Sequence, residues 1–310
     1  MDPRVVHRLR CPVCAEPLAE TTAGTARALR CRRRHSFDVA RQGYVNLLAG
    51  RAPHVGDTAE MVAARADFLA AGHYDLVSVA LADAATAAAR RLAAAGPVDG
   101  DAAARPGAGD DAGADRPVGA YPLVVDAGAG TGRHLAAVLA ALPDAVGLAL
   151  DVSKPALRRA ARAHPRAAAA LADTWRRLPL ADASAAVLLD VFAPRNGAEF
   201  RRVLHPAGTL LVVTPAEDHL TELVDALDLL RVDPDKADRV AGSLAEHFDP
   251  TATTVLRSRL ELTRPEVATL VGMGPSAWHA DPAVLAARIA ALAEPIGVTL
   301  AVRLGTHHPR

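Results

Sequence analysis

Cys11-Pro12-Val13-Cys14 and Cys31-x-x-x-His35 form two close pairs of soft ligands, separated by a spacer of hairpin size. Zinc takes four tetrahedral ligands from thiolate and imidazole. Two such pairs on two turns supply a closed Cys3His set with no open position, which makes it structural. The competing reading is a redox Cys-x-x-Cys pair with an unrelated third cysteine. A redox pair of the thioredoxin kind stands before a helix in a βαβ unit, whereas Cys11 lies too near the start of the chain for one. The three cysteines, odd in number and bunched together, also argue against a disulfide framework.

A second constellation is Asp126-x-Gly128-x-Gly130-x-Gly132, followed by Asp151. The apolar run Leu123-Val124-Val125 leads into it. A helical pattern follows, with Leu135, Val138, Leu139 and Leu142 on one face, and the second apolar run, 146–150, ends on Asp151. Strand, glycine turn, helix, strand and acid make the layout of a nucleotide-type cofactor site. Glycines let the backbone approach a ligand, helix-start amides face it, and the acid can accept hydrogen bonds from a ribose diol. The dinucleotide fingerprint would require a third glycine where Arg133 stands. The pattern instead resembles that of S-adenosylmethionine-dependent methyltransferases.

The elements that must hold these groups follow from periodicity and punctuation. Residues 37–48 predict a strand, a turn at Gly43 and a second strand. Asp57 or Thr58 can cap a helix presenting Met61, Arg65, Phe68 and Leu69, which breaks at Gly72-His73-Tyr74. A long alanine-rich helix spans 76–95. Residues 96–119, rich in Gly, Ala, Asp and Pro, bury too little to order themselves and read as an insertion without chemistry. Past Asp151, Ser153 caps another helix, 168–172 predicts a weak third strand ending on Asp173, and 187–191 a fourth. Ligands sit at the carboxyl ends of strands in an open parallel sheet, so Asp190 through Arg195 should line the reacting site. Residues 209–214 predict the fifth strand. Strand-like 253–262 and 297–304, with helices at 265–271 and 282–292 between them, close the sheet.

Formal net charge is zero over 310 residues, yet the first fifty are strongly basic. Arg4, His7, Arg8, Arg10, Arg27, Arg30, Arg32, Arg33, Arg34 and Arg41 face only Asp2, Glu16, Glu20 and Asp38. A solvated face is the plain reading; a phosphate-tracking surface on a metal-pinned hairpin is the sharper one. Nearly all positive charge is arginine, with Lys154 and Lys236 the only lysines, which suits bidentate phosphate contacts. There is neither a secretory leader nor an apolar run of about 18 residues, so the expected compartment is the cytoplasm, with no membrane partner.

Gly43-Tyr44-Val45-Asn46-Leu47-Leu48, Gly56-Asp57-Thr58-Ala59-Glu60-Met61 and Ala71-Gly72-His73-Tyr74, together with the cysteine and histidine spacing, resemble the 23S ribosomal RNA guanine-N1 methyltransferases. Phe37-Asp38-Val39-Ala40-Arg41, Phe192-Ala193-Pro194-Arg195-Asn196 and Met273-Gly274-Pro275-Ser276-Ala277-Trp278-His279 are similar to its tylosin-resistance branch. The resemblance covers nearly the whole chain. It implies an α/β fold: a Rossmann-like, seven-stranded class I methyltransferase domain with a small N-terminal zinc ribbon. The organisation is then a ribbon over 1–50, a helical connector over 51–95, the insertion over 96–119 and the methyltransferase domain over 120–310. It implies S-adenosylmethionine held by Tyr74, Asp126, Gly128, Gly130, Gly132, Arg133, His134, Asp151, Asp173 and His219. Zinc goes to Cys11, Cys14, Cys31 and His35. RNA contacts go to Arg32, Arg33, Arg34, Arg41 and Trp278, and Asp190 is the candidate proton acceptor. The implied partner is a 23S rRNA hairpin with an unpaired guanine, and the resembling enzymes suggest a homodimer. Two rivals share parts of this pattern: a small-molecule methyltransferase of antibiotic tailoring, and a non-catalytic zinc-ribbon RNA-binding protein.

Overall fold

The computed structural model describes residues 1–23, 26–50, 56–95, 121–229, 236–274 and 281–310. The insertion expected over 96–119 and the Trp278 segment therefore lie outside the described residues.

In chain order, the ribbon comprises α1 (Pro3–Val6), β1 (Leu18–Ala23), β2 (Ala26–Cys31) and β3 (Ser36–Asp38), and the chain leaves it through β4 (Tyr44–Asn46). Two helices follow, α2 (Ala59–Ala70) and α3 (Asp75–Ala95). The alternating part is β5 (Leu123–Ala127), α4 (Arg133–Ala141), β6 (Val146–Asp151), α5 (Lys154–Ala160), β7 (Ala167–Leu171), β8 (Ala185–Val191), α6 (Gly197–Val203) and β9 (Leu204–Pro215). The closing part is α7 (Thr221–Leu227), α8 (Lys236–Ala245), β10 (Phe248–Leu262), α9 (Arg264–Gly272), α10 (Pro282–Ala290) and β11 (Ile296–Pro309). Starts are set by local chemistry. Asp2, Thr58, Ser153, Asn196, Thr263 and Asp281 each accept a backbone N–H at a helix entrance, satisfying donors the helix itself cannot.

The large sheet runs β10-β11-β9-β8-β5-β6-β7-β4. From β4 to β9 all neighbours are parallel, while β11 is antiparallel to both β9 and β10. Every residue of β5 is buried, as a parallel strand covered on both faces requires. The order reverses at β5, which places a crevice beyond the carboxyl ends of β5 and β8. Residues 120–310 supply seven strands of this sheet, β5 to β11, as expected; an eighth, β4, is added from outside that span and lies parallel to β7 from Tyr44↔Ala169 to Asn46↔Leu171. It supplies ladder partners to what would otherwise be an open edge. Residues 44–46 thus belong to the large sheet, and the small sheet β1-β2-β3 stands apart from it.

Two apolar cores line the two faces. One joins α2, α3, α4 and α9 to the sheet. In the other, Val5, Val6, Leu9, Leu18 and Leu29 of the ribbon pack with Leu123, Val125, Leu148 and Ala170 of the sheet. The connection from β7 to β8 contains no helix, and the ribbon covers that part of the face instead. Leu9 bridges Leu180, Arg10 N–H donates to Pro179 O at 2.9 Å, and Ala181 N–H donates to Arg8 O at 2.8 Å. The ribbon is a layer of the core rather than a tethered appendage.

Candidate metal centre and active site

The ligand atoms of Cys11, Cys14, Cys31 and His35 all lie within 4.8 Å of one another. Cys14 Sγ is 3.8 Å from Cys31 Sγ, and the three sulfurs stand 3.5, 3.4 and 3.3 Å from His35 Nδ1. A tetrahedron with Zn–S near 2.3 Å and Zn–N near 2.0 Å has edges of about 3.8 and 3.5 Å, so the set fits zinc. The two knuckles are local turns: Ala15 N–H donates to Cys11 O and Arg34 N–H to Cys31 O.

The basic residues of this module divide into two groups. Arg8 is buried against the Tyr121 ring at 4.8 Å and donates to Tyr121 O just before β5, so it anchors the ribbon to the amino end of the sheet. Arg4 pairs with Asp2 and Arg27 with Glu20. Arg32, Arg33, Arg34 and Arg41 are exposed. Among the described residues only Arg33 of these four has an ionic partner, Glu16 at 4.0 Å.

At the crevice, β5 delivers Asp126 and β6 delivers Asp151. The glycine turn is strapped down by Gly128 and Ala129 N–H donating to Leu150 O at 2.8 and 3.0 Å. Gly128 has φ +79°, and a Cβ there would stand 2.5 Å from Ala193 Cβ. Gly132 starts α4 at φ +78°, where a Cβ would meet Ala160 Cα at 2.9 Å. Both positions exclude side chains, the first because β8's exit loop packs on the turn. Asp151 accepts from Gly130 N–H at 2.8 Å and Ser153 N–H at 2.7 Å, while burial raises its carboxyl above the usual range.

Asp126 is buried, and its Oδ1 accepts no hydrogen bond among the described residues. Burial, with Asp151 adding to it, pushes its carboxyl up to about 7. On the neighbouring strand, paired to it through Asp126↔Leu189, Asp190 is fully buried and neither oxygen accepts a hydrogen bond among those residues. Burial raises Asp190 well above the carboxylate range, against the pull of Arg195, whose Nε lies 3.2 Å away. Asp173 ends the β7 exit, with Oδ1 accepting from Trp175 N–H at 3.0 Å and Oδ2 3.6 Å from Arg176 Nε.

An aromatic wall flanks the crevice. Tyr74 Oη lies 3.4 Å from His219 Nε2, Ala301 N–H donates to His219 Nδ1 at 3.3 Å, and Phe192 sits 6.3 Å from Tyr74 and 6.1 Å from His219 between ring centroids. Phe192 is 42% exposed at φ +54°. A large residue held in the left-handed region is a strained backbone position. Arg133 and His134 turn toward α3 instead. Arg133 pairs with Asp75 at 2.7 Å, and His134 Nδ1 meets Ser78 Oγ at 3.0 Å, with burial pushing the imidazole down to about 4.

The contacts of two groups here lie beyond the sequence reading. Arg65 pairs with Asp57, donates to Met273 O at 2.8 Å and lines Gly130, joining three segments distant in sequence. Arg195 is expected at the reacting site as the end of the stretch from Asp190, but its pairing with Asp190 needs the fold. No pattern in the sequence marks either.

This strand order, with a glycine turn at its reversal point and an acid ending the next strand, defines a class I methyltransferase domain, here carrying a zinc ribbon. The profile of the RlmA N-terminal zinc ribbon matches residues 9–52. A protein of Micromonospora griseorubida, provisionally named a 23S rRNA (guanine-N(1)-)-methyltransferase, is 66% identical over 310 residues, covering 100% of each chain. The 23S rRNA (guanine(748)-N(1))-methyltransferase of Streptomyces fradiae is 50% identical over 309 residues, 100% of this chain and 99% of its own. Among solved structures, a provisionally named methyltransferase of Bacillus halodurans shares 13% identity with a TM-score of 0.40, over 61% of this chain and 93% of that one. The chain belongs to the 23S rRNA (guanine-N1)-methyltransferase family. Its cofactor is S-adenosylmethionine and its metal is zinc. Asp126 Oδ1 and Asp190 Oδ2, buried acid oxygens that accept no hydrogen bond among the described residues, suit a donor that carries positive charge on both sulfur and ammonium.

Proposed function

We propose that the protein transfers a methyl group from S-adenosylmethionine to N1 of an unpaired guanine in a hairpin loop of 23S rRNA, and that this protects the ribosome from tylosin-type macrolides. The relative from Streptomyces fradiae carries guanine 748 in its name, and we infer the same target nucleotide here. The observation that carries the reading is the pairing of a zinc-pinned ribbon bearing free guanidiniums with a donor crevice rimmed by an exposed Phe192.

S-adenosylmethionine supplies an electrophilic methyl carbon, so the residues have to align rather than activate. Asp151 and Asp173 hold the nucleoside end, and the glycine turn takes the amino-acid end beside Asp126. Asp190 is fully buried beside Arg195; ionised, it would balance the donor's positive charge, and we assign it to take the N1 proton as that charge is lost on transfer. Phe192, exposed at the crevice rim, would stack the extruded guanine and so orient N1 toward the donor. N1 lies on the Watson–Crick edge, so only an unpaired or flipped guanine can enter. Arg32, Arg33, Arg34 and Arg41 take the RNA backbone. No helix among the described residues is long and apolar enough to cross a membrane, and a ribosomal substrate puts the work in the cytoplasm. We keep the homodimer as an expectation for solution measurement.

The test is transfer of a radiolabelled methyl group from S-adenosylmethionine, offered separately to 23S rRNA from a methylation-deficient host, to 16S rRNA and to a macrolide. Label on 23S rRNA alone is the expected result. Label on the macrolide, or on none of the three, overturns the reading.

A further inference from the structure

Among the described residues, the exposed aromatic side chains are Phe192 and Trp175. Phe192 leaves β8 and Trp175 follows β7, so the two rings stand at the carboxyl edge of the sheet on opposite sides of β5 and β6, which carry Asp126 and Asp151. Phe192 already has a role in the reaction proposed above. Trp175 has none, although it is the larger ring and the more exposed, at 55%. Leaving an indole in water forgoes about 1.5–3 kcal/mol of burial, and nothing in the local fold requires a tryptophan there.

The surroundings hold the backbone at Trp175 still while leaving the ring outside. Its own N–H donates to Asp173 Oδ1 at 3.0 Å, and Arg176 N–H donates to Asp173 O at 3.1 Å, so the turn is closed from within. The next two residues are exposed arginines. Arg176 reaches Ala49 O at 3.0 Å, at the point where the chain leaves β4, and stands 3.6 Å from Asp173. Arg177 has only a surface pair with Asp182 at 3.8 Å, with both side chains mostly exposed, which contributes little and frees the guanidinium readily. An exposed indole on a hydrogen-bonded turn, followed by accessible guanidiniums, is the composition of a single-stranded nucleic-acid platform, on which a base stacks and the backbone is neutralised.

We propose that Trp175 stacks a nucleotide flanking the target guanine, with Arg177 on the adjoining phosphate, so that the RNA loop is held at both rims of the donor crevice. The inference rests on the RNA methyltransferase reading. It adds a subsite on the β7 side of the crevice, separate from the ribbon arginines and from Phe192. Stacking involves no counterion release, whereas the arginine contacts do. Removing the indole should therefore weaken RNA binding by a similar factor at low and high salt.

Trp175 and Trp278 are the only tryptophans in the chain, so in full-length Trp278→Phe protein the emission reports Trp175 alone. At 23S rRNA concentrations where a filter assay shows that protein saturated with unmethylated RNA, the RNA should quench the emission, while S-adenosylhomocysteine alone should leave it nearly unchanged. Trp175→Ala should weaken RNA binding about tenfold with donor affinity unchanged, and Trp175→Phe should restore most of the loss. The inference is overturned if RNA causes no quenching, if Trp175→Ala binds RNA like the parent, or if its loss falls on donor affinity, which would make the indole an adenine contact. Wild-type protein that fails to methylate 23S rRNA would instead refute the function on which it rests, a result readable without any Trp175 variant.

Discussion

The ribbon and the donor crevice handle charge in opposite ways. In the ribbon, positive charge is outside: Arg32, Arg34 and Arg41 make no ion pair among the described residues, and a metal-ligand set supplements the core the ribbon shares with the sheet. In the crevice the acids are inside: Asp126 and Asp190 are buried with unsatisfied oxygens, burial favours their neutral carboxyls, and a large apolar sheet supports that cost. Exposed cations suit a polyanion that comes and goes. Buried acids suit one small cation held the same way every time. On the function proposed above, one chain would bind two ligands of opposite charge without either site neutralising the other.

The largest expected effect comes from removing the metal. Cys14→Ser should lose zinc and abolish RNA methylation, since structural zinc contributes on the order of 10 kcal/mol to domains of this size. Because Val5, Leu9 and Leu29 share a core with the sheet, calorimetry should also show the whole protein melting lower, by several degrees or more. An unchanged melting temperature would mean that the two regions are independent and that the shared core is energetically idle.

Gly128→Ala acts on the other side. The new Cβ would stand 2.5 Å from Ala193 Cβ on a backbone at φ +79°. Overpacking and left-handed strain together cost about 3 kcal/mol, so donor affinity by calorimetry should fall about a hundredfold while zinc content stays whole. A loss of zinc in that variant would break the division of labour. Replacing Arg32, Arg33 and Arg34 together by alanine should weaken RNA binding about tenfold at low salt and flatten the salt dependence by two to three in slope. Unchanged affinity at low salt would remove the ribbon as the RNA clamp.

The smallest effect is a pH dependence that sharpens the contrast. Asp126 has its carboxyl at about 7 in the fold against an ordinary value of 3.8. Between those values the folded apoprotein holds a proton that the unfolded chain has released, so this group makes stability fall as pH rises through that window. A cationic donor favours the ionised form. Donor binding should therefore release a proton below pH 7, and affinity should climb several-fold between about pH 5 and pH 7 before levelling. Calorimetry in buffers of different ionisation enthalpy measures the released proton. Asp126→Asn should remove most of it, and a variant that releases as many protons as the parent would contradict the assignment.

Legibility in the sequence followed the range of the interactions. Cys11-x-x-Cys14 and Cys31-x-x-x-His35 announced a metal because ligand spacing is a local property, and Leu123 to Asp151 announced a strand, turn, helix and strand for the same reason. The edge strand Tyr44–Asn46 was foreseen as a strand but not as part of the large sheet, because pairing with Ala169 to Leu171 depends on contacts more than a hundred residues away. α7 and α8 were not anticipated. Neither the three-segment contact of Arg65 nor the Asp190–Arg195 pair leaves a periodic trace. Charge counting overstated the basic surface, since Arg4, Arg8 and Arg27 turn out to be occupied within the fold.

The account is tested most directly by primer extension across 23S rRNA from a methylation-deficient host, incubated with the zinc-loaded protein and S-adenosylmethionine. N1-methylation blocks base pairing, so a donor-dependent stop beside a single loop guanine is predicted. That stop should be lost in the triple variant at Arg32, Arg33 and Arg34. Full-length extension by a protein that retains zinc and binds the donor would contradict the claim that the ribbon delivers a ribosomal guanine to this crevice.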